Sequence, residues 1–296
     1  PAWFALARVH PYRGEWAREF QALKHAQRPA AERGRERTEA LLESYERIRR
    51  ELTAEWFQKL QPAPQLETEI RPLFILGLPG SGAAELHAFL RAQLVTDGSP
   101  RRLLEANLRW PDGQMELAAR FDAAWRNQRS DELNRLVSER QQETPIIFVD
   151  SSDQAAWFTG PIRALLPRAR FLVLRRDPLD QLTLLFRRSF EQKPAWATRP
   201  EDIARVMEGF DDLLAHWRAL LPEPPLELDF ERWLDAPEDT LNWLVGEMEW
   251  TQNRREEEST ELAVPGREQA GVGQWMRYAG ELEEIRQRFF PERNPS

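Results

Sequence analysis

The sequence predicts an α/β fold, in which a parallel sheet carries helices on both faces behind an N-terminal helical extension. From residue 73 onward, short apolar runs alternate with stretches of helical period. Strands that alternate with helices along a chain form parallel sheets, because each crossover returns the chain to the same edge. A glycine-rich segment also joins the first apolar run to a helical pattern, whereas residues 1–60 show helical period alone.

Residues 1–68 are predicted to form the helical extension. Apolar residues recur at three- and four-residue steps between positions 41 and 60, which predicts one continuous helical face. Pro62 and Pro64 interrupt this pattern and indicate a linker. We therefore assign residues 69–296 to the α/β domain.

Four strands and the helices between them are predicted within residues 69–296. The strands are short apolar runs of the kind found in parallel strands buried on both faces, at residues 73–76, 144–150, 171–174 and 225–230. Helical period is found at residues 83–94, 114–142, 200–221 and 236–250. Pro178 is suited to the first turn of a further helix after the third strand.

Composition narrows the classes of function. The formal net charge of −8 argues against broad binding to nucleic acid or to anionic membranes. The chain has no cysteine, which excludes disulfides, thiolate metal sites and a cysteine nucleophile. No stretch approaches the roughly 20 apolar residues of a membrane helix, and the first residues do not look like a signal peptide. We expect a soluble, cytoplasmic protein without membrane insertion.

The glycine-rich segment GLPGSGAA, residues 77–84, is the first candidate for a binding site. Glycines between a strand and a helix leave backbone N–H groups free to face a phosphate, as in P-loop-like folds. Gly77 and Gly82 have the spacing of the pattern GxxxxGK[ST], but Ala83 and Ala84 stand where lysine and serine or threonine belong. A kinase or ATPase would lack its charge clamp here. The segment alone is also consistent with a tight strand-to-helix turn that binds nothing.

Four segments, taken in order, resemble the PAPS-dependent sulfotransferases. They are PLFILGLPGSGAA (72–84), DSSDQAAWFTGPI (150–162), RRDPLDQLTLLF (175–186) and FERWLDAPEDTL (230–241). The resemblance is strongest to the bacterial branch often found behind tetratricopeptide repeats, which is related to tyrosylprotein sulfotransferases. It covers roughly residues 40–290 and implies the sulfotransferase fold, PAPS or adenosine 3′,5′-bisphosphate as cofactor, and no metal.

The resemblance also implies which side chains of the loop should contact the cofactor. The family's lysine or arginine in the loop, which stabilises charge on the bridging oxygen, is Gly80 here. Its paired threonines are Ala83 and Ala84, and a further lysine is Ser151. Removing one preorganised electrostatic contact typically costs about 2.7–4 kcal/mol of barrier.

Two more family positions follow from the resemblance. Arg176 fits the arginine that binds the 3′-phosphate, but the serine expected eight residues later is Leu184. Thr183 lies one step away, roughly 100° around a helix, and would not simply replace that serine. Glu105 is the candidate counterpart of the catalytic base, in a context that matches the family poorly, and a solvated surface glutamate is the favoured alternative for this residue.

The candidate cofactor-binding residues are therefore a loop and an arginine pair: Gly77, Gly80, Ser81, Gly82, Ala83, Ala84, Arg175 and Arg176. Three hypotheses remain open. The chain is a non-catalytic member that acts in binding or assembly with a protein partner, or an active, divergent sulfotransferase that modifies a hydroxyl or tyrosine with Arg175 or Arg101 as surrogate cations. The third hypothesis is a nucleotide-binding, kinase-like protein.

Overall fold

The structure, a computed structural model, describes residues 2–61, 70–96, 116–138, 146–152, 154–189, 193–250 and 264–292. Its sheet has four strands: β1 Ile70–Leu76, β2 Ile146–Asp150, β3 Arg170–Arg175 and β4 Leu226–Asp229. All neighbours pair in parallel, in the order β2-β1-β3-β4. The predicted parallel sheet is confirmed, and β1 begins earlier than predicted because Ile70 already pairs with β2.

Helices surround this sheet. In chain order they are α1 Ala2–Val9, α2 Trp16–Gln27, α3 Ala31–Glu51, α4 Ala54–Lys59, α5 Ala83–Gln93, α6 Leu117–Arg120, α7 Ala123–Ser138, α8 Thr159–Leu165, α9 Pro178–Arg187, α10 Pro200–Leu220, α11 Phe230–Asp235, α12 Pro237–Glu247 and α13 Ala279–Phe289. Short 3₁₀-helices lie at His10–Arg13, Arg28–Ala30 and Gln274–Tyr278. Within the described ranges, no helix is long and apolar enough to cross a membrane.

Alternate residues of the strands are buried in two separate cores. Phe74 and Leu76 of β1 pack in one core with residues of α3, α9, α10 and α13. Leu73 and Ile75 pack in the other with residues of α5, α11 and α12. Because side chains of a strand point alternately to its two sides, the sheet is covered on both faces, as the sequence predicts.

Two predicted helices are interrupted. The continuous face expected between residues 41 and 60 is divided, since α3 ends at Glu51 and α4 begins at Ala54. Thr53 caps α4, and its side chain accepts from the N–H of Trp56. The helix expected at residues 114–142 is likewise divided into α6 and α7 in its described part. Short polar side chains such as that of Thr53 favour the start of a helix over its interior. A capping residue can therefore begin a new helix within a stretch whose apolar residues keep one helical period.

The N-terminal helices share a core with the sheet. Phe20 of α2 and Ile48 of α3 belong to the same cluster as Phe171 of β3. Glu19, buried at 3% exposure, accepts hydrogen bonds from Tyr278 Oη at 2.6 Å and from Arg187 Nε at 3.0 Å. The predicted division between residues 68 and 69 lies outside the described residues and stays a prediction.

Candidate functional site

The loop between β1 and α5 depends on two glycines in the left-handed region. Gly80 has φ of +82° and Gly82 has φ of +95°. A Cβ on Gly82 would lie 2.2 Å from ring carbons of Phe230, which begins α11. The loop therefore reaches the start of α5 only because Gly82 carries no side chain.

Backbone donors remain available in this loop. The N–H of Ser81 donates to the carbonyl of Leu78 at 3.0 Å, and that of Ala83 donates to Ser81 Oγ at 3.3 Å. The N–H groups of Gly80, Gly82 and Ala84 have no acceptor among the described residues. Free N–H groups at a glycine loop and at a helix start favour an anion, and phosphate binding by this backbone stays a prediction. The Ser81 hydroxyl is buried, and Gly82 rather than Ser81 is the N-cap of α5.

Arg176 contacts the loop, but its guanidinium is engaged by the chain itself. Nη1 donates to the carbonyl of Gly80 at 3.2 Å, Nη2 donates to the carbonyl of Ala270, and the group lies 4.7 Å from the centroid of the Phe230 ring. Nε is buried without a partner in the described part of the chain. The side chain is 8% exposed, and burial lowers the pKa of Arg176.

Arg175 does not join this group. Its guanidinium forms ion pairs with Asp211 of α10 at 2.8 Å and with Glu227 of β4 at 3.5 Å. Successive residues of a strand point to opposite sides, so the two arginines at the end of β3 diverge. The structure therefore places Arg176 at the loop, whereas Arg175 forms ion pairs with two carboxylates at the surface.

Helix α9 places Leu184 against the loop. A Cβ on Gly80 would lie 3.4 Å from Leu184 Cδ2, so position 184 does face the turn, with a methyl group in place of a hydroxyl. Thr183 is buried at 4% exposure, and its hydroxyl has no partner within the described residues. Gln181, which sequence reasoning missed, donates to the carbonyls of Pro79 at 3.0 Å and Leu78 at 3.3 Å.

The same helix holds the C-terminal segment beside Arg176. Asp177 caps α9 and accepts from the N–H of Leu179, as expected for a helix that begins with Pro178. Asp180, 2% exposed, accepts from the N–H groups of Gly273 at 2.6 Å and Trp275 at 2.9 Å. Burial raises the pKa of Asp180, against the effect of those two hydrogen bonds.

Ser151 lies at the end of β2, where the family resemblance expects a lysine. Its Oγ is 2.9 Å from Nδ1 of His87, a residue of α5. No local pattern singles out His87, because the contact joins residues far apart in the chain. Glu105, predicted as a weak candidate base, and Arg101 both lie outside the described residues.

A cavity of about 490 Å³ opens in front of the loop. Residues 77–85 and Ser151 line one side, and Arg188, Lys193 and Pro194 complete the lining. The sequence analysis singled out neither Arg188 nor Lys193. In the sequence, Arg188 is simply the residue after α9, and Lys193 is a lysine before a proline. Among the described residues, no group of three histidine, aspartate or glutamate side chains is placed to hold a metal.

A family model and a curated relative are similar to this chain. The model described as "Sulfotransferase family" matches residues 72–252, more than half of the chain. An uncharacterized protein of Aquifex aeolicus (strain VF5) is 23% identical over 238 residues, which are 70% of this chain and 31% of the relative. The chain thus spans about a third of the length of that curated relative.

Two solved structures that are weakly similar to this chain are a sulfotransferase domain and a sulfotransferase. The sulfotransferase domain of the Synechococcus PCC 7002 olefin synthase is 15% identical, with TM-score 0.38 and coverage of 63% of this chain and 77% of that one. Sulfotransferase STF1 of Mycobacterium tuberculosis H37Rv is 14% identical, with TM-score 0.40 and coverage of 76% and 77%. Similarity at this level gives no information on the activity of the chain.

Proposed function

The chain belongs to the sulfotransferase family, and we propose that it acts in binding or assembly and has lost sulfuryl transfer from PAPS. Within the family we place it in the bacterial, tetratricopeptide-associated branch related to tyrosylprotein sulfotransferases, on the strength of its four ordered segments. The partner we propose is a protein.

The engagement of Arg176 carries this proposal. The side chain expected to bind a phosphate instead donates to the carbonyls of Gly80 and Ala270 and covers the ring of Phe230. These contacts use two of the five N–H donors of the guanidinium and hold it against the loop and the C-terminal segment. Arg176 therefore supports the loop and the C-terminal segment.

The other side chains do not fit PAPS. Gly80, Ala83 and Ala84 have no polar side-chain atom for a phosphate, and Leu184 turns a methyl group toward the loop. A hydrogen bond to a charged group contributes about 1.5–3 kcal/mol. Four lost contacts would together amount to about 6–12 kcal/mol, which is comparable with the roughly 8 kcal/mol of a micromolar dissociation constant. On these magnitudes the nucleotide does not bind measurably.

Restoring the missing hydroxyls tests the proposal. Ala84 is exposed and Leu184 is half-buried, so Ala84→Thr and Leu184→Ser can be combined with little strain. Gly80 is a poorer choice because its φ of +82° disfavours any other residue. We expect the double variant to gain affinity for adenosine 3′,5′-bisphosphate, measured by calorimetric titration, while the natural chain shows none at millimolar ligand.

A matched control uses the same helix. Ala88→Thr adds a hydroxyl to an exposed position of α5 that does not line the cavity. It should leave the titration unchanged. Strong binding by the natural chain would show that the contacts are not needed, and the loss of catalysis would then have no basis.

A second candidate function rests on the two cations that line the loop cavity. Arg188 and Lys193 line the same cavity as the glycine loop, which favours an active, divergent sulfotransferase with surrogate cations and a hydroxyl or tyrosine acceptor. Release of adenosine 3′,5′-bisphosphate from PAPS in the presence of a tyrosine peptide, abolished by Lys193→Met, would support this function. Absence of release at millimolar PAPS would reject it.

A further inference from the structure

Ser151 follows β2 at the edge of the sheet where the glycine loop follows β1. The two strands are parallel and Phe74 pairs with Asp150, so the residues after them lie at the same edge. The buried carboxylate of Asp150 accepts from the N–H of Ser152 at 2.8 Å and holds this turn. Ser151 is half-buried and lines the cavity of about 490 Å³. A small molecule in the cavity can therefore reach this residue.

His87 of α5 contacts the hydroxyl of Ser151. Ile147 and Val149 of β2 pack in the core that contains α5, and the alternation of a strand directs Ser151 to the same side. Ser151 Oγ lies 2.9 Å from Nδ1 of the half-buried His87. With the proton of the imidazole on Nε2, Nδ1 accepts from the hydroxyl. A serine within hydrogen-bond reach of a neutral imidazole is the arrangement that makes the hydroxyl a nucleophile.

The cavity also presents amide donors to a substrate. The N–H groups of Gly80, Gly82 and Ala84 have no acceptor among the described residues, and these residues line the cavity together with Ser151. In acyl transfer, such donors stabilise the charge that a carbonyl oxygen gains during attack. The volume lies within the range of about 300–1,000 Å³ typical of small-molecule sites. A hydroxyl with its base and a set of amide donors are the parts that ester hydrolysis requires.

We propose that Ser151 is a nucleophile, that His87 is its general base, and that the chain hydrolyses small carboxylic esters. Ser151 Oγ attacks the carbonyl carbon of the ester while Nδ1 of His87 takes the hydroxyl proton. This proton passes to the departing alkoxide or phenoxide, and the acyl group stays on Oγ. Water, deprotonated by the same imidazole, then hydrolyses the acyl-serine, which releases the acid and restores the hydroxyl.

This activity goes beyond the proposed function and does not depend on it. The family resemblance expects a lysine at position 151, so the pair of Ser151 and His87 is a feature of this chain. The reaction uses no nucleotide, and water is its only co-reactant.

Labelling with an alkyl fluorophosphonate tests the nucleophile, because Oγ displaces fluoride and the serine stays phosphonylated. The intact chain should gain the mass of one phosphonyl group, located on Ser151 by peptide mapping, and Ser151→Ala should gain none. His87→Asn keeps an amide oxygen near the position of Nδ1 but cannot take the proton, so labelling should slow by about 100-fold or more. The control Ser152→Ala removes a half-buried hydroxyl outside the cavity and should label at the natural rate.

Turnover of 4-nitrophenyl acetate tests the complete reaction. We expect a burst of one equivalent of nitrophenolate per chain, followed by slower release, and the loss of both phases in Ser151→Ala. Equal thermal midpoints would show that all three variants fold. Absence of the burst or of the phosphonyl adduct, an adduct on another residue, or labelling of His87→Asn at the natural rate overturns the proposal. None of these results bears on binding of adenosine 3′,5′-bisphosphate, which decides the proposed function.

Discussion

At the scale of single residues, Gly82 links the loop to the second core. Its φ of +95° lies in the left-handed region, and the ring of Phe230 occupies the space that a Cβ would need. Phe230 also lies under the guanidinium of Arg176. One small residue therefore positions both the loop and the arginine above it.

We expect Gly82→Ala to destabilise the chain by about 2–4 kcal/mol, from the left-handed backbone and from overpacking against Phe230. Urea unfolding measures the loss. Gly246 of α12 is the control, because a Cβ there meets nothing within 4 Å. Gly246→Ala should stabilise by about 0.5–1 kcal/mol, and a Gly82→Ala variant as stable as the natural chain would contradict the close approach.

At the scale of elements, α9 connects the loop to the C-terminal segment. Its first residues supply Asp180, which accepts from two backbone N–H groups of the segment, and Gln181, which donates to two loop carbonyls. Leu184 packs in the next turn beside Gly80. This helix thus fixes the loop from one side and the segment near Arg176 from the other.

Asp180→Ala should loosen the C-terminal segment. Two buried N–H groups, of Gly273 and Trp275, would lose their acceptor, which costs about 1–3 kcal/mol. We expect their amide hydrogens to exchange at least tenfold faster. Asp235→Ala is the control, since its ion pair with Arg267 of the same segment is exposed and contributes at most about 1 kcal/mol. Unchanged exchange in Asp180→Ala would refute the role of this carboxylate.

Local patterns predicted the elements better than they predicted the site. The strands were evident because buried parallel strands are short apolar runs between turns, and the loop because its glycines follow one of them. The break between α3 and α4 at Thr53 was not predicted. The apolar residues keep a helical period across it, and only the capping side chain of Thr53 marks the new helix start. Arg188 and Lys193 were missed for a different reason: their place in the cavity depends on how α9 packs, and no local pattern encodes that.

At the scale of the whole molecule, the two ends of the chain meet around Glu19. This carboxylate of α2 accepts from Tyr278 near the C-terminus and from Arg187 at the end of α9. Burial raises the pKa of Tyr278. The contacts join the N-terminal helices, the helix beside the loop and the C-terminal segment in one buried network.

Tyr278→Phe should lower the free energy of unfolding by about 1.5–3 kcal/mol, because the buried carboxylate of Glu19 loses one of its two donors. Chemical unfolding provides the measurement. Tyr12, which is 92% exposed, supplies the control, and Tyr12→Phe should change nothing. Equal stability of both variants would mean that the network contributes little to the fold.

Titration of adenosine 3′,5′-bisphosphate into the natural chain tests the central claim most directly, because binding can be measured without knowing an acceptor. Since Arg176 is engaged by Gly80 and Ala270, we expect no binding at millimolar nucleotide. A micromolar dissociation constant, worth about 8 kcal/mol, would show that the cofactor site is intact and would contradict the loss of PAPS chemistry.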